Sequence, residues 1–152
     1  YKRLVPGYEA PVYATWAFQN RSDLLRVPAI IPGREDSVRL ELRSPDPACN
    51  PYLAFAAILS AGLDGIEKGY EVPPPMAEDV AEMTPARRAE QGIQSLPEDL
   101  HAAIRCAESS ELMRRTLGDH VFTKLIENKQ LEWDRYRAQV TDYELREYLP
   151  IL

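Results

Sequence analysis

Two short alternations of apolar and polar residues near the start of the chain predict strands. In VYATWAFQ every second residue from Val12 to Phe18 is apolar, and in VRLELR Val38, Leu40 and Leu42 alternate with charged residues. Successive side chains of a strand point to opposite faces, so each segment is expected to have one apolar and one polar face. The prolines and glycine of RVPAIIPGRED predict a loop between them. We therefore expect antiparallel strands in the first third, residues 1–44.

The hydrophobic period then changes to that of a helix. Asn50 is a favourable N-cap, and Pro51 suits the first helical position because its φ is fixed and it has no amide hydrogen. Apolar residues dominate the following segment, so we predict a buried core helix over 51–67. This helix is expected to form the hydrophobic centre of the domain.

The remainder of the chain predicts a surface segment followed by helices. Residues 68–94 are rich in proline and charge and lack a sustained period, so they are expected to lie on the surface. A capping box, Ser95 with Glu98, predicts a helix to about residue 107 within a helical C-terminal part, 95–152. Strands followed by helices indicate an α+β fold in a single unit, 1–152.

Two further signals divide the helical part. Gly118 is expected to end a short helix that begins near Ser110. An amphipathic helix is predicted to follow and to run to about Val140, where a second capping box, Thr141 with Glu144, predicts a final turn.

Composition narrows the class of protein. The chain has 152 residues, 45% of them hydrophobic, which suits one domain, and its net charge of −6 disfavours a nucleic-acid binder. Its two cysteines, Cys49 and Cys106, lack metal-binding spacing, so we expect packing residues in a protein of the reducing cytoplasm. The longest apolar run is shorter than the ~20 residues of a membrane span, so no membrane partner is expected.

The polar positions of RLELR are the strongest candidates for chemistry. Alternation would place Arg39, Glu41 and Arg43 on one side of a strand, each about 6.6–6.8 Å from the next. Arginine binds phosphate or carboxylate oxygens bidentately, and a glutamate among arginines can hold Mg²⁺ beside phosphates. Further arginines precede this strand: Arg3, Arg21 and Arg26. The alternative is a solvated strand face with cross-strand ion pairs, which is the commoner use of such a pattern.

Four aromatic and imidazole side chains in the helical part favour no particular function. His101 and His120 are expected at surface or capping positions. Trp133 and Tyr136 lie on the long predicted helix, where packing or interface roles are expected.

Three ordered blocks within residues 1–66 resemble a known family. YKRLVPGYEAP, NRSDLLRVP and RLELRSPDPACNPYLAFAAILSAGLDGI are similar to the C-terminal part of the catalytic, guanido kinase-like domain of a type I glutamine synthetase. The resemblance implies ligation of ammonia to L-glutamate, driven by ATP, to give L-glutamine, ADP and phosphate through γ-glutamyl phosphate. It also implies Mg²⁺ or Mn²⁺ as cofactor.

Residues that bind glutamate follow from the same resemblance. Arg3 and Arg43 match positions that hold the glutamate carboxylate. Glu9 matches a flap glutamate that covers the site, contacts the substrate and helps to deprotonate ammonium. Arg21 matches a catalytic arginine that contacts glutamate and the transferring phosphoryl group.

The nucleotide side of the site is implied in the same way. Arg26 and Arg39, together with Arg21, match ATP-binding positions. Glu41 matches a divalent-metal ligand near the ATP phosphates.

The resemblance further implies an incomplete site and a large assembly. Family members carry more metal ligands, the ammonium site and the adenine pocket before YKRL, so we expect a fragment with about half of a site, inactive alone. They form homododecamers, in which a C-terminal segment such as YELREYLPIL grips the opposite ring. Adenylylated members have a Tyr in a loop where this chain reads EDVAEMTPARRAE, with no Tyr between Glu71 and Arg88, so this chain departs from the family pattern for that control.

Two alternatives remain. A γ-glutamyl-amine ligase of the same family would accept a polyamine or another amine in place of ammonia. A non-catalytic relative would serve binding or assembly, although such a protein has no need of six polar groups that match the family's site: Arg3, Glu9, Arg21, Arg26, Glu41 and Arg43.

Overall fold

In the computed structural model, which describes residues 2–8 and 10–152, a small sheet precedes a group of helices. The strands are β1 (Trp16–Phe18), β2 (Leu25–Val27) and β3 (Glu41–Leu42), in the order β1-β2-β3. The helices are α1 (Pro51–Lys68), α2 (Pro85–Glu90), α3 (Leu100–Glu108), α4 (Glu111–Arg137) and α5 (Asp142–Tyr148). The predicted α+β arrangement is confirmed.

The sheet differs from its prediction in direction and in burial. Strand β2 pairs with β3 antiparallel, as expected, but β1 pairs with β2 parallel. The expected apolar faces are also wrong, because Phe18 and Leu40 are exposed while Ala17 is fully buried. Among the strand residues only Ala17 is fully buried, while Trp16, Leu25, Val27 and Leu42 are partly buried.

Most helix boundaries follow the capping chemistry read from the sequence. Asn50 Oδ1 accepts hydrogen bonds from the first amides of α1, and Thr141 with Glu144 forms the capping box of α5. Gly118 breaks α4 with φ 73° and ψ 154°, where a helix end was predicted. The Ser95 capping box is wrong: Ser95 bridges to Tyr13, and Asp99 caps α3 instead.

The core nearest the sheet contains residues from the predicted surface segment. Val12 and Tyr13 pack with Val80 and Met83, all of which are buried. The backbone of the same segment is tied to β1, because Met76 N donates to Trp16 O over 2.8 Å. Residues 68–94 therefore do not lie wholly on the surface, since their few apolar side chains close the core beneath β1.

Helix α1 forms where expected, yet it is not the hydrophobic centre of this chain. Tyr52, Phe55 and Ile66 are 83%, 71% and 79% exposed, whereas Asp64 is buried. The Asp64 carboxylate forms two salt bridges of 2.8 Å, one with Arg115 Nη2 on α4 and one with Lys68 Nζ on its own helix. Helix α1 thus meets α4 through a polar contact and leaves its apolar side uncovered.

The accessible surface of the chain gives the scale of this exposure. It amounts to 11555 Å², against about 7,800 Å² for a compact folded monomer of the same mass. The excess reflects the uncovered side of α1, the outer face of the sheet and the C-terminal segment. Helix α5 packs only on the turn Leu149–Ile151 among the described elements.

Minor side-chain predictions have mixed outcomes. Trp133 packs between His101 and Tyr136, with ring centroids 5.6 and 5.9 Å away. His101 is therefore a partly buried stacking residue rather than a surface one. Cys49 and Cys106 are free and exposed, so the expectation that they are packing residues is wrong. No helix in the described parts of the chain combines the length and apolarity needed to span a bilayer.

Candidate functional site

Two of the predicted arginines line one cavity of about 390 Å³. Arg21 reaches it from the loop between β1 and β2, and Arg43 from the residue that follows β3. Tyr8 and Asp79 also line this cavity, which we call the arginine cavity. The arrangement brings two guanidiniums, each able to bind an oxyanion bidentately, to one concave surface.

The backbone at Arg43 is held by two hydrogen bonds. Its amide donates to Leu24 O over 2.9 Å, which continues the β2–β3 pairing by one residue. Its carbonyl accepts a hydrogen bond of 3.1 Å from Arg3 Nη2. The structure therefore gathers Arg3, Arg21 and Arg43, although Arg3 reaches the group through the main chain of Arg43.

A second cluster surrounds Glu41. Arg26 faces Glu41 directly across β2 and β3, and Arg26 Nη1 lies 2.8 Å from Glu41 Oε2. Arg39 donates to Glu41 Oε1 from Nε over 3.1 Å and from Nη2 over 2.8 Å. Arg39 and Glu41 thus lie on one side of the strand, as the alternation predicted. Arg26 with Glu41 is also the cross-strand ion pair that the alternative interpretation expected.

The protonation of Glu41 follows from these contacts. The hydrogen bond from Arg26 is the main cause that lowers the pKa of the Glu41 carboxyl. Desolvation opposes it, while the hydrogen bond from Arg39 and the charges of both arginines lower the pKa further. Glu41 is therefore held as a carboxylate, the form in which it can bind a cation. Both of its oxygens are occupied by guanidinium groups, so a bound metal ion would have to displace at least one of them.

Metal-binding capacity in the described residues, 2–8 and 10–152, is limited to isolated carboxylates. No group of three or more His, Cys, Asp or Glu side chains there has the geometry of a metal site. Glu41 suits one position in a Mg²⁺ shell, since Mg²⁺ is often bound by one or two carboxylates together with substrate phosphates.

Glu9 lies outside the described residues. Its neighbours Tyr8 and Ala10 both line the arginine cavity.

Sequence reasoning missed two acidic residues, one that lines the arginine cavity and one that is buried near Arg21 in the sequence. Asp23 is fully buried two residues after Arg21, and Asp79 lines the arginine cavity from the segment expected to lie on the surface. Burial is the main cause that raises the pKa of the Asp23 carboxyl, and the charge of Asp79 raises the pKa further. A hydrogen bond from the Thr15 hydroxyl and the charge of Arg43 lower the pKa in part. In the sequence, the signal that could have drawn attention to Asp23 is its position as a charged residue directly before the apolar pair Leu24-Leu25.

Comparison with known proteins identifies the family. Residues 1–148 match the profile of the glutamine synthetase catalytic domain. Proteins named glutamine synthetase from Mycobacterium tuberculosis (strain H37Rv) and Staphylococcus aureus (strain N315) are 51% and 48% identical to this chain. The two alignments cover 99% and 98% of this chain, but 34% and 33% of those proteins. The chain thus spans about a third of the length of these relatives.

Solved structures agree with this assignment. A structure described as a GmaS/ADP complex superposes with a TM-score of 0.76 at 34% identity, over 93% of this chain and 30% of that chain. A cryo-EM structure of Plasmodium falciparum glutamine synthetase superposes with a TM-score of 0.72 at 22% identity, over 96% of this chain and 36% of that chain, and shows the shared fold alone. The chain belongs to the glutamine synthetase catalytic-domain family.

Proposed function

We propose that this chain supplies part of the active site of an ATP-dependent ligase that joins ammonia to L-glutamate and forms L-glutamine, ADP and phosphate through γ-glutamyl phosphate. The observation that carries the proposal is the arginine cavity, where Arg21 and Arg43 meet at one concave surface. Family membership over residues 1–148 supports the same reaction class.

The arginines have the chemistry that such a reaction requires. Phosphoryl transfer depends on positive charge around the transferring group more than on covalent help from the protein. Arg21 is assigned to glutamate and the transferring phosphoryl group, and Arg3 and Arg43 to the glutamate carboxylate. Arg26 and Arg39 are assigned, with Arg21, to the ATP phosphates. The ADP named in the GmaS structure supports nucleotide binding in this fold.

Glu41 is assigned as one ligand of Mg²⁺ or Mn²⁺. When bound, the metal would supply positive charge at the nucleotide phosphates. The hydrogen bonds that lower the pKa of the Glu41 carboxyl support this assignment, because they favour its ionised form. Arg26 and Arg39 hold both carboxylate oxygens of Glu41 and so fix its orientation.

Glu9 is assigned to the flap. Its role is to take a proton from ammonium and to help exclude water, which would otherwise hydrolyse the acyl phosphate. The neighbouring residues, Tyr8 and Ala10, lie at the arginine cavity, and this position supports the assignment.

The chain by itself is proposed to be inactive. It spans about a third of its relatives, and its described residues hold single carboxylates rather than a metal site. Its accessible surface exceeds that of a compact monomer by about half. The remaining ligands, the ammonium and adenine sites, and a cover for α1 would come from the remainder of a longer polypeptide.

Assembly and location follow from the same proposal. The exposed apolar residues of the C-terminal segment, such as Tyr148 at 52% and Ile151 at 77%, are suited to an interface between subunits. A homododecamer in the cytoplasm is the proposed state of the complete protein, with L-glutamate, ATP and ammonia as its small-molecule partners.

The test is an acceptor comparison with the complete protein. Phosphate release from ATP is measured with L-glutamate and either ammonia, methylamine or a polyamine. The proposal expects ammonia to give the highest kcat/KM. A clear preference for an amine would identify the γ-glutamyl-amine ligase, and no release with any acceptor would indicate the non-catalytic relative.

A further inference from the structure

The two arginines that hold Glu41 differ in burial and in their other contacts. Arg26 Nη1 donates to Glu41 Oε2 over 2.8 Å, and Arg26 Nε donates to the carbonyl of Gln19 over 3.2 Å. Arg39 also donates from Nη1 to the carbonyl of Ser37, over a longer 3.3 Å. The Arg26 side chain is 20% exposed, whereas the Arg39 side chain is 57% exposed. Arg26 is therefore the enclosed partner of Glu41, and Arg39 is the one that faces water.

The two carboxylate oxygens of Glu41 differ as well. A carboxylate oxygen has two lone pairs. Oε1 accepts two hydrogen bonds from Arg39, from Nε over 3.1 Å and from Nη2 over 2.8 Å, so both of its lone pairs are used. Oε2 accepts one hydrogen bond, from Arg26. A cation that binds Oε1 has to displace Arg39, and a cation at Oε2 would lie against the enclosed guanidinium of Arg26.

We propose that Arg39 is a displaceable partner of Glu41, which leaves Oε1 when a divalent metal ion binds there and is thereby released to bind the nucleotide phosphates. Arg26 keeps its hydrogen bond to Oε2 and holds the carboxylate in place. Arg39 suits this exchange because an exposed ion pair contributes little to stability, so the guanidinium can move into water at low cost. A divalent cation also repels a guanidinium on the same carboxylate, which favours departure of the more exposed arginine.

This inference rests on the proposed function, because the metal and the nucleotide phosphates are the ligands assigned there to Glu41 and Arg39. It adds that Glu41 competes with the phosphates for Arg39. The metal removes this competition, so metal binding and phosphate binding should strengthen one another by the same factor.

The primary measurement is the rate at which phenylglyoxal modifies Arg39 in the complete protein, with and without Mn²⁺ and in the absence of nucleotide, followed by peptide mass spectrometry. Mn²⁺ should accelerate modification of Arg39 about two- to fivefold, the range expected for loss of an exposed ion pair. Arg26 in the same sample is the internal control, and its rate should stay within about twofold because its ion pair is kept. In Glu41→Gln, Mn²⁺ should no longer change the rate at Arg39.

The second measurement is the affinity for Mn²⁺ without nucleotide, followed by water-proton relaxation. Arg39→Ala removes the competing guanidinium and should tighten Mn²⁺ binding about two- to fivefold. The matched control is Arg34→Ala, which removes the same charge from an exposed position in the loop before β3. Its effect should stay below about 1.5-fold, because salt screens exposed charges that are not in contact. Weaker Mn²⁺ binding in Arg39→Ala would show that Arg39 supports the metal ligand, which contradicts the exchange.

The outcomes separate the exchange from the proposed function. If Glu41→Gln weakens Mn²⁺ binding but Mn²⁺ leaves the Arg39 rate of the wild type unchanged, the exchange is refuted and Glu41 remains a metal ligand. If Glu41→Gln leaves Mn²⁺ binding unchanged, both the exchange and the metal assignment fail. Release of Arg39 by Mn²⁺ in a protein that forms no glutamine would support the exchange and refute the proposed ligation.

Discussion

The uncovered side of helix α1 gives a quantitative prediction about what surrounds this chain. Phe55 is 71% exposed, whereas Phe122 on α4 is 2% exposed. A phenylalanine side chain contributes about 200 Å² when fully buried, so roughly 140 Å² of Phe55 remains open to water in this chain. At about 25 cal/mol per Å², covering that area would add about 3.5 kcal/mol to stability.

The perturbation is Phe55→Ala, with Phe122→Ala as its buried counterpart. In the 152-residue chain we expect Phe55→Ala to lower the free energy of unfolding by no more than about 1.5 kcal/mol, because only about 60 Å² of the side chain is covered. Phe122→Ala should cost about 3–5 kcal/mol. In the complete protein the two variants should become similarly costly.

The assay is urea unfolding followed by circular dichroism for the chain, and the shift in melting temperature for the complete protein. Equal losses for both variants in the chain would show that α1 is already covered. A harmless Phe55→Ala in the complete protein would refute the argument that the remainder of the polypeptide packs on this face.

Three further predictions follow from particular residues. Gly118 has a backbone conformation that is nearly restricted to glycine, so Gly118→Ala should lower the free energy of unfolding by about 1–3 kcal/mol in a urea titration. Gly62 lies inside α1 with open space for a Cβ, so Gly62→Ala should raise the free energy of unfolding by up to about 1 kcal/mol. Equal effects of the two substitutions would contradict the explanation from backbone conformation. In the complete protein, Glu41→Gln should raise the Mg²⁺ concentration that gives half-maximal activity at least about tenfold. The control substitution at an exposed position, Glu35→Gln, should leave this concentration unchanged. An unaltered Mg²⁺ titration for Glu41→Gln would show that Glu41 is not a metal ligand. Glu9→Ala should impair glutamine formation more than formation of the acyl phosphate, because the proton acceptor for ammonium is lost, and unchanged glutamine synthesis would refute that role.

Local chemistry made much of the helical part predictable. Caps act over three or four residues, so Asn50 and Thr141 revealed helix starts, and Gly118 revealed the break in α4. Ser95 failed because its segment pairs with Tyr13, a contact between distant positions that outweighs a local capping preference.

Burial was less predictable, for a physical reason. Periodicity indicates which face of an element is apolar, but not whether this chain contains the surface that covers it. Helix α1 and the outer face of the sheet are apolar and exposed here for that reason. Alternation did place Arg39 beside Glu41, but only the three-dimensional structure showed Asp79 in the cavity of Arg21 and Arg43 and the full burial of Asp23.

The most direct test of the central claim is the dependence of glutamine formation on glutamate concentration in the complete protein and its Arg43→Ala and Arg21→Ala variants. The account predicts that Arg43→Ala raises the KM for glutamate by about tenfold to a hundredfold, since a hydrogen bond to a charged group typically contributes about 1.5–3 kcal/mol. It predicts that Arg21→Ala lowers kcat as well, because its guanidinium also meets the transferring phosphoryl group. Wild-type KM and kcat in both variants would show that the arginine cavity is not the glutamate site.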